Sequence, residues 1–307
     1  MTTSLDPSDS DTNSSDRNYL AVDIGGTKLA AAVVAADGTI LGQDRSPTHG
    51  VGAEGLFSNL VELIDSTLAA VDVPVAALGV GCGGPMELHG ESVSPLNIEQ
   101  WRGFRLRSRL AERYELPTFV DNDAKALALG EGWLGAAQGV SDYVSMVVST
   151  GVGGAIVSGG VLLDGAQGNA GHLGHMIVEP LGRRCACGAR GCLEAEASGT
   201  AIRAITGAPA AEAPVEIRIR TGRLVGRVVG SLANLLDLRL AAVAGSVALG
   251  FGDDFFEAAN DEVDRVARLA FSRGTRVVPS GCGADGPLVG AAAVARTGLE
   301  RGVPWTS

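Results

Sequence analysis

The sequence predicts an α/β protein of two lobes with a cleft between them. Two observations carry that prediction. A series of strand, glycine turn, strand, turn and strand occupies 19–42 and recurs from 142 onward, and each time the chain then alternates helical and extended patterns. The length of 307 residues also suits two domains of roughly 100–200 residues each. Two β-β-β-α-β-α-β-α units facing each other satisfy both.

The first unit opens with YLAVDIGG, KLAAAVVAADG and TILGQ. These apolar, β-prone runs break at Gly25-Gly26 and near Asp37-Gly38, and so predict three antiparallel strands. Within 53–70, Leu56, Leu60, Leu63, Ile64 and Leu68 fall on one helical face. A buried strand follows at 76–82, then a helix at about 105–114, then a strand ending near Val120. Asp123 opens the helix AKALALGEGWLG. In the second unit 142–150 is a strand, Gly151, Gly153 and Gly154 form the turn, and AIVSGG and VLLDG continue the sheet. Helices at about 222–236 and 254–272 complete that lobe, while 206–220 has no clean period and reads as a loop running into a helix. The division expected is a tail at 1–17, a first lobe at 18–121 with the C-terminal segment 286–307 packing back onto it, and a second lobe at 122–285.

Apolar residues make up 46% of the chain but aromatics only 4%, so the core must be built largely from Ala, Val and Leu. A net charge of −11 disfavours non-specific nucleic-acid binding, which needs a basic surface. No run of 18 apolar residues predicts a membrane span, and the N-terminus lacks an export signal, so a cytoplasmic protein is expected. Residues 1–17, rich in Ser, Thr and Asp, read as a disordered tail. Lysine occurs only at 28 and 125 although arginine is common, which singles out both positions.

Four features bear on chemistry. In Asp23-Ile24-Gly25-Gly26-Thr27-Lys28 a strand ends in a carboxylate and turns through two glycines, exposing backbone N–H groups that no Cβ shields. Such a turn cradles anionic oxygens, with Thr27 adding a hydroxyl, Lys28 a positive charge and Asp23 a ligand to Mg²⁺ through water; alone, it reads equally as an ordinary hairpin. It is not a Walker P-loop, since the G-x-x-x-x-G-K-[ST] spacing is absent. Ser149-Thr150-Gly151-Val152-Gly153-Gly154 occupies the matching place in the second unit, and two facing cradles can clamp a triphosphate. In Val120-Asp121-Asn122-Asp123-Ala124, Asp123 sits where a strand gives way to a helix, placed either to accept a proton in phosphoryl transfer or simply to cap the helix. Asn122 beside it can bind a neighbouring hydroxyl. Finally His175, Cys185, Cys187 and Cys192 offer an imidazole and three sulfurs within eighteen residues, the Cys₃His set of structural zinc sites, with Gly188 and Gly191 permitting tight turns. Four protein ligands leave no open position, so a zinc there would be structural. Cys82 and Cys282 are isolated and read as core residues.

From about Tyr19 to Ala295 these motifs occur in the order in which the ROK family of sugar kinases and repressors carries them, and the chain resembles that family. The segment Cys185-Ala186-Cys187-Gly188-Ala189-Arg190-Gly191-Cys192-Leu193-Glu194 is its most specific match. The resemblance implies the actin-like ATPase (ribonuclease H-like) fold, ATP with Mg²⁺, a structural Zn²⁺ in a knuckle at 175–194, and phosphorylation of a hexose, usually at the 6-hydroxyl. It further implies that Asp123 is the catalytic base, that Gly84, Asn97, Asn122, Glu194 and His175 line the sugar pocket, and that Gly250 and Gly252 lie near the adenosine loop. There Phe251 interrupts the usual Gly-Gly pair. Where the family has Glu-x-Gly-His this chain has His172-Leu173-Gly174-His175, so the residue facing the C1–C2 end of the sugar changes from an acceptor-only carboxylate to an imidazole. Glucose is the acceptor expected, with N-acetylglucosamine or N-acetylmannosamine as the alternative that His172 would admit. A sugar-responsive regulator is the competing class. Regulators of this family carry a winged helix-turn-helix domain, whereas only eighteen residues, acidic overall, precede Tyr19. A polyphosphate-using glucokinase would favour a basic groove, against the acidic balance. Members of the family often form homodimers.

Overall fold

The computed structural model describes residues 17–48, 50 and 52–302. Most of the expected tail at 1–17, and the last five residues of the 286–307 segment, lie outside the described residues. The first sheet opens with the antiparallel strands β1 (Tyr19–Ile24), β2 (Lys28–Val34) and β3 (Ile40–Pro47). Helix α1 (Gly52–Ala70) follows, burying Leu56, Leu60, Leu63 and Ile64 as their spacing requires. Strand β4 (Ala77–Cys82), α2 (Leu106–Tyr114) and β5 (Thr118–Asn122) complete the sheet, whose order is β3-β2-β1-β4-β5 with β4 parallel to both neighbours.

Helix α3 (Asp123–Trp133) then leads to β6 (Tyr143–Val148), β7 (Val152–Ser158) and a two-residue β8 (Val161–Leu162). Helices α4 (Leu193–Ala197), α5 (Gly199–Thr206) and α6 (Val215–Leu236) precede β9 (Leu240–Ala244). After α7 (Ser246–Phe251) and α8 (Asp253–Val266), strand β10 (Arg276–Pro279) and α9 (Gly286–Arg301) end the described chain. The second sheet runs β10-β9-β6-β7-β8, the same order and strand sense as the first. Its central β6 and the β1 of the first sheet each end at a glycine hairpin.

The chain is therefore a mixed α/β protein with two like sheets, as its repeated pattern predicts. Val, Ala and Leu dominate the core of the second half, while in the first half one cluster is built mainly of Leu and Val and another mainly of Ala. Helix α9 does not stay with the second sheet: it packs on β1 and β4, and Gly79 of β4 lies so close to it that a Cβ there would fall 2.0 Å from the Ala291 carbonyl. Helix α3 packs against α9 on one side and β6 and β7 on the other, and so joins the two halves.

Three boundaries differ from the sequence reading. Helix α6 starts at Val215, because the period of 215–220 is masked by arginines that find specific partners: Arg218 donates to the Ala213 carbonyl at 2.9 Å and Arg220 pairs with the buried Glu196 at 2.5 Å. Helix α8 stops at Val266 rather than near 272. Beyond it the buried Ser272 and Thr275 hold a turn, donating to Asn234 Oδ1 at 2.6 Å and to the Leu238 carbonyl at 2.9 Å. The VLLDG run pairs over only two residues before it leaves the sheet.

Candidate active site

Each hairpin shows why its turn must be glycine. In the first, the Gly25 N–H donates to the Lys28 carbonyl at 3.0 Å, and the Thr48 hydroxyl closes on the Gly25 carbonyl at 2.6 Å. A Cβ on Gly26 would stand 2.6 Å from Cβ of Asn97, so the bare glycine lets the loop carrying Asn97 rest on the turn. In the second, a Cβ on Gly151 would meet the Glu194 carboxylate at 2.9 Å, and Glu194 accepts the Val152 N–H at 3.1 Å. Glu194, at the start of α4, thus links the second hairpin to the cysteine-rich loop before it. Ser149 lies 3.0 Å, oxygen to oxygen, from Ser246 on α7.

Between the hairpins, β5 delivers Asn122 and Asp123 to the N-terminus of α3. The capping role falls to Asn122, whose side-chain oxygen accepts the Ala124 N–H at 3.0 Å. Asp123 accepts the same N–H at 2.8 Å and opens onto the cleft. The protein around it raises the pKa of this carboxyl above the usual range by desolvation, a push opposed by the Ala124 N–H and by His172. Asp23, at the end of β1, is raised to about 6, first by burial and then by the charge of Asp123, with Lys28 opposing. The two carboxylates flank Gly81, whose Cβ would lie 3.8 Å from the Asp123 Cα and 3.9 Å from Asp23 Oδ1. A Cβ on Gly84 would stand 3.4 Å from the Asn122 amide nitrogen.

Another wall of the cleft comes from the segment between β8 and α4. The ligand atoms of His175, Cys185, Cys187 and Cys192 all lie within 4.8 Å of one another. His175 Nδ1 is 3.6 Å from Cys185 Sγ, and the sulfurs of Cys187 and Cys192 are also 3.6 Å apart. A tetrahedral zinc with Zn–S near 2.3 Å and Zn–N near 2.0 Å separates its ligands by roughly 3.5–3.8 Å, so the donor set fits that ion. Gly188 and Gly191 adopt φ of 96° and 71°, and a Cβ on Gly191 would overlap the Glu179 carbonyl. With Nδ1 of His175 turned to the sulfurs, the far side of its ring borders the cleft. His172 stacks near it, ring centres 6.3 Å apart, and its Nδ1 lies 2.9 Å from the Asn169 carbonyl oxygen. A carbonyl only accepts, so Nδ1 carries a proton, and in the uncharged form of the ring Nε2 is left as an acceptor.

The cleft enclosed by these groups has a volume of about 650 Å³, within the size of small-molecule sites. Asp23, Gly25, Gly26, Gly84, Asn97, Asn122 and Asp123 line it from one side, and Thr150, Gly151, Gly153, Gly154, His172, His175 and Glu194 from the other. Thr27 and Lys28 are exposed on the first turn beside this lining, and Gly250 and Gly252 lie outside it, at the end of α7. At that end of the cleft the lining comes instead from Gly245, Ser246 and Leu249 after β9, and from Gly283 and Pro287 before and within α9. Gly245 has φ of 101° and would clash with the Val148 carbonyl if it carried a Cβ. A glycine directly after the apolar run LAAVA is the signal that marks this third turn. Glu131 has no such local signal. Fully buried near the far end of α3, it accepts N–H groups of Ala136 at 2.7 Å, Gly281 at 3.1 Å and Cys282 at 3.3 Å, along with the Ser280 hydroxyl, and so anchors the loop entering α9.

The ROK family pattern matches residues 19–298. An N-acetylmannosamine kinase of Escherichia fergusonii is 37% identical over 250 residues, covering 76% of this chain and 84% of that one. Among solved structures, the ROK hexokinase of Thermus thermophilus is 32% identical with a TM-score of 0.82, over 92% of this chain and 99% of that one. A ROK family glucokinase of Streptomyces griseus, solved with glucose and AMPPNP, is 31% identical with a TM-score of 0.76, over 92% and 100% of the two chains.

Proposed function

Because the chain belongs to the ROK family and is a sugar kinase, we propose that it transfers the γ-phosphate of ATP to the 6-hydroxyl of a hexose, with glucose as the leading acceptor. The observation that supports this most is the position of Asp123: its carboxylate opens into the cleft between the two glycine hairpins on one hand and Asn97, His172, His175 and Glu194 on the other. Asp123 takes the proton of the attacking hydroxyl late in the transfer, where position matters more than basicity. The bare turns at Gly25-Gly26 and Gly151–Gly154 aim N–H groups at phosphate oxygens. Asp23 is an oxygen donor that would hold Mg²⁺ brought in with the nucleotide, which would supply charge neutralisation at the transferred phosphate. Asn122, Gly84, Asn97, His175 and Glu194 hold the sugar, and closure of the cleft excludes water.

His172 bears on which sugar is used. With Nδ1 committed to Asn169, its Nε2 offers the substrate an acceptor, as one oxygen of the family carboxylate would. That polarity suits a sugar hydroxyl and favours glucose. The 37% identity to the Escherichia fergusonii kinase favours N-acetylmannosamine as the second reading.

A coupled ADP-release screen of glucose, mannose, fructose, glucosamine, N-acetylglucosamine and N-acetylmannosamine should give the highest kcat/KM with glucose; a maximum with N-acetylmannosamine establishes the second reading instead. Asp123→Asn is expected to lower kcat by about 10²–10⁴-fold while calorimetry still detects sugar binding. Near-normal turnover in that variant would sink the assignment of the base. His172→Glu should reorder the substrate ranking, and an unchanged ranking removes His172 from specificity.

A further inference from the structure

The buried Lys125 is one of only two lysines in the chain, and nothing in the chemistry above uses it. It lies on α3 two residues beyond Asp123, and its side chain is 2% exposed. Burying an ammonium is costly unless every donor finds a partner. Here Nζ is 2.8 Å from Asp164 Oδ1, 3.0 Å from the Gly168 carbonyl and 3.8 Å from Asp121 Oδ1. Two of those acceptors belong to the loop between β8 and the turn at Leu173–His175.

The two ends of that loop rest on β7, where Leu163 N–H donates to the Ile156 carbonyl at 2.8 Å and Gly171 packs against Gly154, and the stretch between them has few other ties. Residues 163–167 are exposed, and Gly165, Gly168 and Gly171 all adopt positive φ, at 77°, 76° and 98°. Internal bonds shape it locally: Ala170 N–H donates to the Asp164 carbonyl at 2.9 Å, and Asn169 Nδ2 to the Gln167 carbonyl at 2.9 Å. Its outer side meets the first half of the molecule, where a Cβ on Gly168 would lie 3.5 Å from Leu88 Cδ1. The residue after Gly168 is Asn169, whose carbonyl sets the tautomer of His172. One ammonium therefore ties the helix bearing Asp123 to the loop that orients His172.

We propose that Lys125 is a positioning residue for sugar recognition: by gripping Asp164 and the Gly168 carbonyl it holds the 163–171 loop in the geometry that aims Nε2 of His172 at the acceptor. The inference rests on the sugar-kinase reading of the cleft. It assigns Lys125 no contact with substrate and no proton transfer.

The test uses the full-length enzyme and two variants. Asp164→Ala removes the loop's half of the pair from a half-exposed position and leaves the Lys125–Asp121 contact in place, so folding is not at issue. Lys125→Met replaces the ammonium by an apolar chain of similar length. Both should raise KM for the best sugar, by about tenfold in Lys125→Met, while kcat and KM for ATP stay within about threefold. The double variant should be no worse than Lys125→Met, because the two side chains act as one tie. Hydrogen exchange of 163–171, measured without any substrate, should quicken by about tenfold in both. An unchanged sugar KM in Asp164→Ala overturns the proposal, as does an equal loss in kcat, sugar KM and ATP KM. Faster exchange with an unchanged KM shows an anchor without a role in recognition and also rejects it. A wild-type enzyme that phosphorylates no sugar defeats the kinase reading instead, and the exchange measurement still reports on the tie.

Discussion

Asp23 and Asp123 both lie close to Gly81, and the charge of Asp123 makes Asp23 harder to ionise. For Asp23, burial and its neighbour's charge hold the folded pKa near 6 against an ordinary 3.8. Above pH 6 the carboxylate is ionised in both folded and unfolded chains, and the folded state bears the whole penalty. Between about pH 6 and pH 4 the folded chain takes up the proton first, so the penalty fades as pH falls. Asp23→Asn should therefore stabilise the fold at pH 7.5 by up to roughly 2 kcal/mol, visible as a higher Tm, with the gain vanishing near pH 4. Activity should fall in the same variant, since an amide oxygen lacks the negative charge that the carboxylate would offer the proposed cation. A Tm gain that grows on acidification would contradict the assigned cause. Residues of this kind were legible in the sequence because their signals are local: a carboxylate at a strand end, a glycine pair, cysteines two to five positions apart. What the sequence left open at Asp123, cap or base, is narrowed by Asn122, which takes the cap position one residue earlier.

Among the elements, the knuckle at 175–194 has the most to lose from a missing ion. It contains little regular structure, and two of its members, His175 and Glu194, border the cleft. Zinc removal by a strong chelator should lower Tm and raise KM for sugar well before it affects KM for ATP. Metal analysis of the purified protein should find about one zinc per chain. No change in either Tm or sugar KM after verified metal loss would deny the knuckle its ordering role. Elements further from a local motif were harder to read. The arginines of α6 hide its first turn until their partners on other segments are known, and β8 is cut short because its chain leaves to form the 163–171 loop. The resemblance implies Gly250 and Gly252 near the adenosine loop; they stand at the end of α7, while Gly245, the glycine directly after β9, lines the cleft.

At the scale of the whole molecule, duplication was the most legible property, since each sheet repeats the same order of strands. Less legible was α3, one helix whose residues face three ways: Asp123 into the cleft, Lys125 toward the 163–171 loop and Glu131 toward the loop entering α9. Periodicity reports only that such a helix is buried on one face, and besides the nearby Asp121 and Ala136 the partners of Lys125 and Glu131 are about 40 and 150 positions away. The return of α9 to the first sheet has a further consequence, for the order of events during synthesis. One face of that sheet, with Tyr19, Ala21 and Ala77, is covered by Leu288, Ala291 and Ala295. Ribosomes add roughly 5–20 residues per second, and domains ordinarily fold as they emerge. Here the first half to leave the ribosome is the last to be sealed. Residues of α3 reach that face early, but the part of it that α9 covers stays open until this late helix is made.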